Sequence, residues 1–339
     1  MDVFRANQAG AFHMMNLTAT LLDQPHVPMR LGMLGLFNSG GVRTTSVSVE
    51  RQRNTLVLVQ SSPRNSPAAQ NVKDQRELVP VPTTRIALED PITADEVQGI
   101  RALGSESELR TLEQEVTQRN TRMSNSIEAT VEYHRIGAMK GTILDADGST
   151  LIDLFTTFGV AAQSEVDFDL DNATPAAGAL RKKCSSVIRL IEDELGGLSY
   201  TSIHAMCSSQ FFDDLTAHPE YREQYAATNQ AERGLGERVA RRMAIFGGIV
   251  FEEYRGTVGG TKYVLDDKAH IFPVGVQDLF IERYAPAEYW DTVNTIGLPR
   301  YARLMIDPAD PHSKVTSRVQ TQVLAMCTRP RVLIPAKRT

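Results

Sequence analysis

The chain has 339 residues, of which 42% are hydrophobic and 23% charged, and its formal net charge at pH 7 is −5. This composition is that of an ordinary globular protein with about two domains, and the negative charge argues against binding nucleic acid through bulk positive charge. No apolar run approaches the ~20 residues of a membrane span, and the first residues lack the basic and apolar regions of a secretion signal. We therefore expect a soluble intracellular protein.

Residues 1–40 are predicted to form an arm. Leu17 and Leu21 favour one or two amphipathic helical turns, and Pro25 and Pro28 end them. Such a segment buries little apolar surface unless it docks on the body of the protein or on a neighbour.

Residues 41–90 are predicted to form a long ribbon of two strands. Val47, Val49 and the apolar run 56–59 are strand formers, and the polar, proline-containing run 61–67 lies between the strands. A two-stranded ribbon is marginal in water because nothing covers its apolar face. We expect it to lie against another copy of the protein.

A long amphipathic helix follows the ribbon. A first helix start is predicted at 90–96, where Thr93 can act as the N-cap. The main helix is predicted from 106 to 137, and its single apolar stripe indicates a helix covered on one side only, lying on a sheet or on a neighbouring subunit. The stripe consists of Leu109, Leu112, Val116, Met123, Ile127 and Val131, and the opposite face carries Glu108, Arg110, Glu113, Glu115, Arg119 and Glu128.

Shorter elements are predicted in the rest of the chain. Asp147-Gly148 predicts the turn of a hairpin over 141–155, and residues 175–297 have the alternating pattern of a mixed α/β unit. The predicted elements of that unit are a helix at 176–195, a strand at 202–207, a helix capped by Ser208, and strands at 245–254, 263–265 and 270–273. A closing strand over 315–327 buries Val315, Val319, Val323 and Cys327 on one face, and Leu324 and Met326 indicate that its end is covered on both faces.

No catalytic motif is found. The chain has no phosphate-binding GxxxxGK[ST] loop, no GxSxG nucleophile motif and no complete dinucleotide fingerprint, since Gly234 and Gly236 lack the preceding strand and the third glycine. The seven histidines show no zinc spacing, and His204 is interpreted as a core residue. The three cysteines, Cys184, Cys207 and Cys327, form no CxxC pair and are interpreted as buried free thiols.

Three charged clusters each allow a functional alternative. Asp145 and Asp147 resemble the start of a calcium loop, but the loop lacks a third acidic ligand and the distal glutamate, so a plain turn is preferred. The other clusters are interpreted as solvated or as intersubunit partners, with cation binding and phosphate binding as the respective alternatives. They comprise Asp167, Asp169 and Asp171, and Arg238, Arg241 and Arg242. The sequence therefore predicts no catalytic, cofactor-binding or metal site, and no cofactor.

Several runs near the C-terminus point to a family. They are FPVG at 272–275, YAPA at 284–287, VNT at 293–295, GLPRYA at 297–302 and VQTQVL at 319–324, with Pro330 shortly after. In their order and spacing, residues 263–335 resemble the lambda-type major capsid protein E family of tailed bacteriophages. Upstream, the order of arm, ribbon, long helix, hairpin, mixed unit and closing strand is similar in organisation only.

The resemblance implies an α+β protein with the Hong Kong 97-type capsid fold. The implied segments are an N-terminal arm at 1–40, an extended β loop at 41–90, the spine helix and peripheral domain at 91–174, an axial domain at 175–300 and C-terminal strands at 301–339. The implied function is formation of the icosahedral head shell around double-stranded DNA, by hexamers and pentamers of the chain. The implied location is the virion, with assembly in the host cytoplasm.

The same resemblance implies further partners. They are a scaffolding protein, which the short arm suggests is a separate chain, a portal, a decoration protein as a further candidate, and packaged DNA in weak contact. The ribbon arginines Arg43, Arg51 and Arg53 are expected to meet acidic residues of a neighbouring subunit. Two alternatives stay open: an encapsulin-like nanocompartment, and a nucleotide-binding enzyme built on 175–300, for which no phosphate loop is found.

Overall fold

The structure is a computed structural model that describes residues 13–24, 29–51, 77–93, 96, 108–231, 243–258, 260–306 and 314–339. The helices are α1 Met14–Leu22, α2 Arg30–Met33, α3 Glu108–Lys140, α4 Leu154–Thr157, α5 Ala179–Leu195, α6 Ser209–Ala217 and α7 Pro219–Ala231, with short 3₁₀ turns at Trp290–Thr292 and Pro330–Val332. The strands are β1 Asn38–Gly41, β2 Ser46–Arg51, β3 Glu77–Pro82, β4 Thr84–Thr93, β5 Thr142–Leu144, β6 Thr150–Asp153, β7 Val166–Asp167, β8 Ser202–Cys207, β9 Met243–Phe246, β10 Ile249–Glu253, β11 Thr257–Val258, β12 Thr261–Lys262, β13 Lys268–Val274, β14 Phe280–Tyr284, β15 Tyr301–Ile306, β16 Lys314–Cys327 and β17 Ile334–Lys337.

The chain divides into two compact units. Unit 1 comprises Met1–Ser48, Pro80–Arg135 and Ile281–Ala325, and unit 2 comprises Val49–Val79, Ile136–Phe280 and Met326–Thr339. Each unit is therefore assembled from segments that are far apart in the sequence.

Unit 1 contains a five-stranded sheet centred on β16. β15 and β4 pair with the same stretch of β16 from opposite sides, β14 also pairs with β16, and β1 extends the sheet beyond β14 as a parallel neighbour. The pairing between β4 and β16 runs over ten residues, from Thr84 opposite Val323 to Thr93 opposite Lys314. This long antiparallel ladder joins segments that stand more than 200 residues apart.

Helix α3 packs its apolar stripe in the core of unit 1, as predicted. Val116, Ile127 and Val131 are fully buried in a cluster that also contains Val319 and Val323 of β16. The side chains of Leu109 and Leu112 lie outside the described residues. The helix ends at Lys140, three residues beyond the predicted end at 137, and the predicted start at 106 lies outside the described residues.

Two parts of the predicted arm, which belongs to unit 1, pair or pack with other segments of that unit. Helix α1 packs against β15, where the Ala302 N–H donates to the Thr18 hydroxyl at 3.1 Å, and Leu17 and Leu21 join the core of unit 1. The glycine-rich end of the arm forms β1, a strand that its sequence did not predict.

The helix start predicted at 90–96 is wrong for its first four residues. Asp90–Thr93 continue strand β4, because Ile92 is buried in the core of unit 1 and the ladder with β16 satisfies the backbone. The reciprocal half of a capping box is present, since the Thr93 N–H donates to a Glu96 carboxylate oxygen at 3.3 Å. Tertiary pairing thus overrides a sound local signal.

The predicted ribbon is present at its base. β2 and β3 form a two-stranded sheet, whereas residues 52–76, which include the predicted strand at 56–59 and the turn at 61–67, lie outside the described residues. Val47, Val49 and Val81 are buried within the single chain. The expectation that the ribbon has no cover of its own is therefore wrong for its base.

Unit 2 contains a six-stranded mixed sheet in the order β7-β17-β13-β8-β10-β9. Its aromatic core includes Phe168, Phe211 of α6 and Phe251 of β10, whose ring centroids lie 5.5–6.3 Å apart. The predicted helix ends are confirmed: Gly196 ends α5 in the left-handed conformation, and the Ser208 hydroxyl accepts from Phe211 N–H at the start of α6.

The hairpin predicted in unit 2 is confirmed. Two predicted strands have different bounds from those expected, and a third is not formed. β5 and β6 pair around the Asp147-Gly148 turn, but Leu154 and Phe155 begin helix α4 instead of extending the strand. The strand predicted at 245–254 is two strands, β9 and β10, because Gly247 and Gly248 both take positive φ and reverse the chain. Residues 263–265 follow β12 and are not a strand.

The closing strand 314–327 is the strand predicted at 315–327. Val319, Val323 and Cys327 are buried as expected, and Leu324 and Met326 confirm that the end of the strand is covered on both faces. This two-sided cover begins earlier than predicted, since Gln320 is also buried. A further strand, β17, lies between β7 and β13 and was not predicted.

Candidate functional site

A cluster of five buried charged side chains occupies the interior of unit 1. Arg135 of α3 donates to Glu282 of β14 through two nitrogens, at 3.2 Å and 3.1 Å. It also donates to Glu128, which lies seven residues earlier on the same helix, at 2.6 Å. Arg300 pairs with the second oxygen of Glu128, and Glu132 lies 3.3 Å from Arg135. All five side chains are at most 8% exposed, so the network is shielded from water.

The charges in this cluster do not balance by themselves. Three carboxylates face two guanidinium groups, and the Leu31 N–H donates to Glu132 at 2.7 Å. Burial alone would lower the pKa of Arg135, but the negative charges of Glu282 and Glu128 outweigh it, and the pKa is raised. Burial, together with the charge of Glu282, also raises the pKa of the nearby Tyr284. Arg135 is therefore held in its charged form.

Such a network fastens elements to one another and leaves no open reactive group. It joins α3 to β14, to the residue before β15 and to α2, which come from four separate parts of the chain. Isolating a buried charge by removing its partner is strongly unfavourable. The cluster therefore specifies how the elements of unit 1 fit together.

The sequence analysis missed this cluster because it placed Glu128 on the solvent face of the helix. Glu128 is 4% exposed. The last part of α3 is covered on nearly every side, so the expectation of a helix covered on one side only is wrong from about residue 127 onward. A usable signal was present: Glu128, Glu132 and Arg135 recur at four- and three-residue spacing and share one face of the helix.

A second network ties the start of α3 to the end of β4. Arg119 lies 3.1 Å from Asp90, 2.9 Å from Glu96 and 2.8 Å from Glu115. The hydrogen bond with Glu115 and the charges of Asp90 and Glu96 raise the pKa of Arg119. Deeper in the unit, the Ser317 hydroxyl donates to Asn120 at 2.6 Å.

Unit 2 holds a partly buried lysine whose charge acts on a histidine. Lys140, at the end of α3, donates to the carbonyl oxygen of Tyr263, and burial lowers the pKa of Lys140 to about 8. Burial, with the charges of Lys140 and Lys268, lowers the pKa of His270 to about 3. Since no acidic partner accompanies these shifts, the pair resembles a desolvated structural contact more closely than an acid–base site.

The residues singled out from the sequence do not converge on one site. His204 lies on β8 with its ring 6.4 Å from that of Phe272, and the three cysteines are buried, as predicted, at separate places. Asp147 accepts from Ser149 within the hairpin turn, and Asp167 accepts from the N–H of Asp169. The cluster at Arg238, Arg241 and Arg242 and the glycines at 234 and 236 lie outside the described residues.

Within the described ranges, no group of three or more histidine, cysteine, aspartate or glutamate side chains is placed to hold a metal ion. Among the described helices, none is both long and apolar enough to cross a membrane.

Solved structures with the same fold define the class of protein. The crystal structure of the capsid protein of a prophage of Escherichia coli CFT073 superposes with a TM-score of 0.59 at 14% identity, covering 96% of this chain and 99% of that one. The capsid of an empty GTA particle gives a TM-score of 0.50 at 13% identity, covering 95% and 97%. The chain has the Hong Kong 97-type fold of phage capsid proteins, as the sequence analysis predicted.

Sequence comparison gives the family. The model of the family described as phage major capsid protein E matches residues 13–338. The chain is 27% identical to the major capsid protein of Pseudomonas phage KPP10 over 96% of its own length and 97% of the relative, and 25% identical to that of Salmonella phage Felix O1 (isolate Felix O1-VT1) over 98% and 97%. The chain belongs to the phage major capsid protein E family, and its function is that of a major capsid protein of a tailed phage or prophage, located in the virion capsid.

Proposed function

We propose that copies of this chain assemble with one another, as hexamers and pentamers, into the icosahedral shell of a phage or prophage head that encloses double-stranded DNA. The observation that carries this proposal is the match of the capsid family to residues 13–338, which includes both units and nearly the whole chain. The same match does not favour the encapsulin-like alternative.

The segments expected from the sequence form part of the proposal. They are an arm at 1–40, an extended β loop at 41–90, the spine helix and peripheral domain at 91–174, an axial domain at 175–300 and C-terminal strands at 301–339. The two compact units divide the chain at other points, at 135 and 280 among them. Helix α3, with its long run of 33 residues, supports the assignment of a spine.

A scaffolding protein, a portal and, as a further candidate, a decoration protein are the other protein partners that we propose. Packaged DNA is proposed to touch the shell weakly. The net charge of −5 supports weak contact, because tight binding of DNA depends on neutralising phosphates with lysine and arginine. Weak contact suits a genome that must leave the shell.

We further propose that the chain performs no catalysis. In support, the buried carboxylates Glu128 and Glu282 of unit 1 are engaged in ion pairs with Arg135 and Arg300, and burial raises the pKa of Cys207 far above its usual range, which keeps the thiol neutral and unreactive. Replacing His204 or Cys207 should change the yield and stability of folded protein, by ~1–3 kcal/mol. Turnover that disappears in such a variant while the fold survives would contradict the proposal.

The test of assembly is direct. The purified chain, alone or co-expressed with the scaffolding protein of the same phage or prophage, is followed by light scattering and negative-stain electron microscopy. We expect pentamers, hexamers or closed shells. A monomer that persists at all concentrations, with scaffolding protein present, would overturn the proposal. A variant that replaces residues 61–77 by a short Gly-Ser turn should keep the 175–300 segment folded while losing closed shells.

A further inference from the structure

The loop between β14 and β15 exposes an unusual set of apolar side chains. Trp290, the only tryptophan of the chain, is 95% exposed, and Val293 and Ile296 are 56% and 55% exposed. Tryptophan is highly buried on average in folded proteins, because its ring carries a large apolar surface. Three such residues within seven positions form a patch and not a scatter of single exposed side chains.

The loop that carries these residues is firmly built. The buried Thr292 donates its hydroxyl to the Ala287 carbonyl oxygen at 2.5 Å, and the Thr292 N–H donates to the Tyr289 oxygen at 3.0 Å. Farther along, the Gly297 N–H donates to the Val42 oxygen at 2.9 Å.

Beneath the exposed residues, the base of the loop has a small core of its own. Ala287 and Tyr289 are buried there with Met14 and Tyr301, and Leu298 packs against them. The apolar side chains are therefore held outward on a fixed backbone. Because the loop is already ordered, it would lose little conformational entropy when a partner binds.

The charged residues around Trp290 indicate which kind of macromolecule can bind to this patch. Trp290 is followed by the exposed Asp291, whereas Arg85 neutralises the charge of Glu288 at 2.6 Å. Residues 290–296 contain no lysine or arginine, the side chains by which proteins bind DNA phosphates and anionic lipid surfaces. The segment therefore fits a protein surface better than either of these partners.

The area of the patch indicates how it is used. The three side chains present on the order of 300–400 Å² of apolar surface, whereas a stable pairwise interface takes about 800 Å² from each partner. The patch is too small to hold an isolated dimer, and it is large enough to form the centre of one contact among the several that a shell subunit makes.

We propose that the segment Trp290–Ile296 is a contact between subunits in the shell, with a second copy of this chain as its occupant and Trp290 as the central anchor. The inference rests on the proposed function, since it takes the repeated neighbour in a shell to be another copy. Tryptophan side chains are enriched among the few interface residues that carry most of the binding energy.

The sole tryptophan makes the test specific, because its fluorescence reports on position 290 alone. In free subunits, Trp290 should show the long-wavelength emission of an indole in water and strong quenching by acrylamide. In shells shown by gel electrophoresis to contain only this chain, the emission should move to shorter wavelength and the quenching should fall several-fold. Shells whose emission and quenching equal those of the free subunit would overturn the inference while leaving the proposed function intact.

Two variants complete the test. Trp290→Ala should leave the circular dichroism and thermal unfolding of the subunit unchanged, because the side chain is outside the core, and should raise the concentration needed for shells about tenfold or more. Leu265→Ala is the matched control, since Leu265 is 62% exposed and lies beside the charged Asp266; it should assemble like the wild type.

The outcomes remain distinguishable. A Trp290→Ala variant that assembles as readily as Leu265→Ala would overturn the inference. An emission shift that appears only when a second protein is added would show a different occupant and would also overturn it. Failure of the wild-type chain to assemble under any condition would count against the proposed function itself.

Discussion

Arg135 and Glu282 form a bidentate ion pair in the interior of unit 1, with Nε 3.2 Å from Oε1 and Nη2 3.1 Å from Oε2. The two residues are 147 positions apart, and their exposed fractions are 6% and 3%. The planar fork of an arginine matches a carboxylate in one orientation only. The pair therefore fixes both the rotation of α3 and its position along β14, which an apolar contact alone would leave free to slide.

The first prediction concerns this pair. Arg135→Met should lower the free energy of unfolding by ~3–5 kcal/mol, because Glu282 would stay buried without its cationic partner. Urea denaturation followed by circular dichroism measures the loss. The double variant Arg135→Met/Glu282→Gln should cost less than the sum of the two single changes.

A surface pair provides the control for that experiment. Lys262 and Asp266 lie 2.7 Å apart with both side chains more than half exposed, and Lys262→Met should cost no more than ~1 kcal/mol. Equal losses for Arg135→Met and Lys262→Met would show that burial of the cluster does not govern its contribution.

The second prediction concerns pH. Burial lowers the pKa of Lys140 to about 8 from an ordinary 10.5, so between these values the folded chain releases the proton while the unfolded chain keeps it. Stability then rises with pH across this window, by up to ~3 kcal/mol for one residue. Below pH 8 both states are protonated, and the unfavourable burial of the ammonium group is fully present.

The measurement compares the wild type with Lys140→Met at each pH. The difference between the two proteins is the relevant quantity, because burial raises the pKa of Cys184 and Cys327 to about 12. Above the ordinary thiol pKa, unfolding releases those protons, so the cysteines reduce stability as pH rises in both proteins alike. The stability of the wild type relative to Lys140→Met should increase from pH 7 to 10.5. A flat difference would refute the assignment.

The third prediction concerns Gly297, where the chain lies directly against the backbone of another segment. A Cβ atom at Gly297 would overlap the main-chain oxygen of Tyr284 and the carbonyl carbon of Ala285, which are fixed beside β16 by the bond from Ala285 N–H to Gln322 oxygen. Gly297→Ala should therefore be destabilising at the upper end of the ~1–3 kcal/mol typical of overpacking. Thermal unfolding measures the effect.

Gly148→Ala is the control that distinguishes steric overlap from the strain of a positive φ. Its φ is +86°, yet no atom lies within 4 Å of a Cβ placed there, so Gly148→Ala should cost only the ~1 kcal/mol of the left-handed conformation. A loss at Gly297 no greater than that at Gly148 would contradict the prediction.

The fourth prediction concerns the thiols. Cys184, Cys207 and Cys327 are fully buried, and burial raises the pKa of each of them. Because the thiolate is the reactive form, a thiol reagent at pH 8 should label none of them in the folded protein and all three in denaturant. A thiol that reacts rapidly in the native protein would show that one of these positions opens to solvent.

Several elements follow from the sequence by itself, because their signals are local. The apolar stripe through Val116, Ile127 and Val131 predicted α3 and placed its end within three residues of Lys140. Asp147-Gly148 gave the hairpin turn and Ser208 the start of α6, since a turn or a cap is a property of a few consecutive residues. The ordered runs near residues 272–302 gave the family.

Only the tertiary structure decided the pairings and the burial of charge. Asp90–Thr93 has the composition of a helix start, yet it is a strand because β16, more than 200 residues later, supplies its hydrogen bonds. Glu128 looks like a solvent-facing residue on a helical wheel until Arg300, 172 residues later, is brought to it. The exposure of Trp290 likewise has no signature in its neighbours. Local patterns fix the period and the ends of an element, whereas its partner and its contact with water depend on segments that only the folded chain brings together.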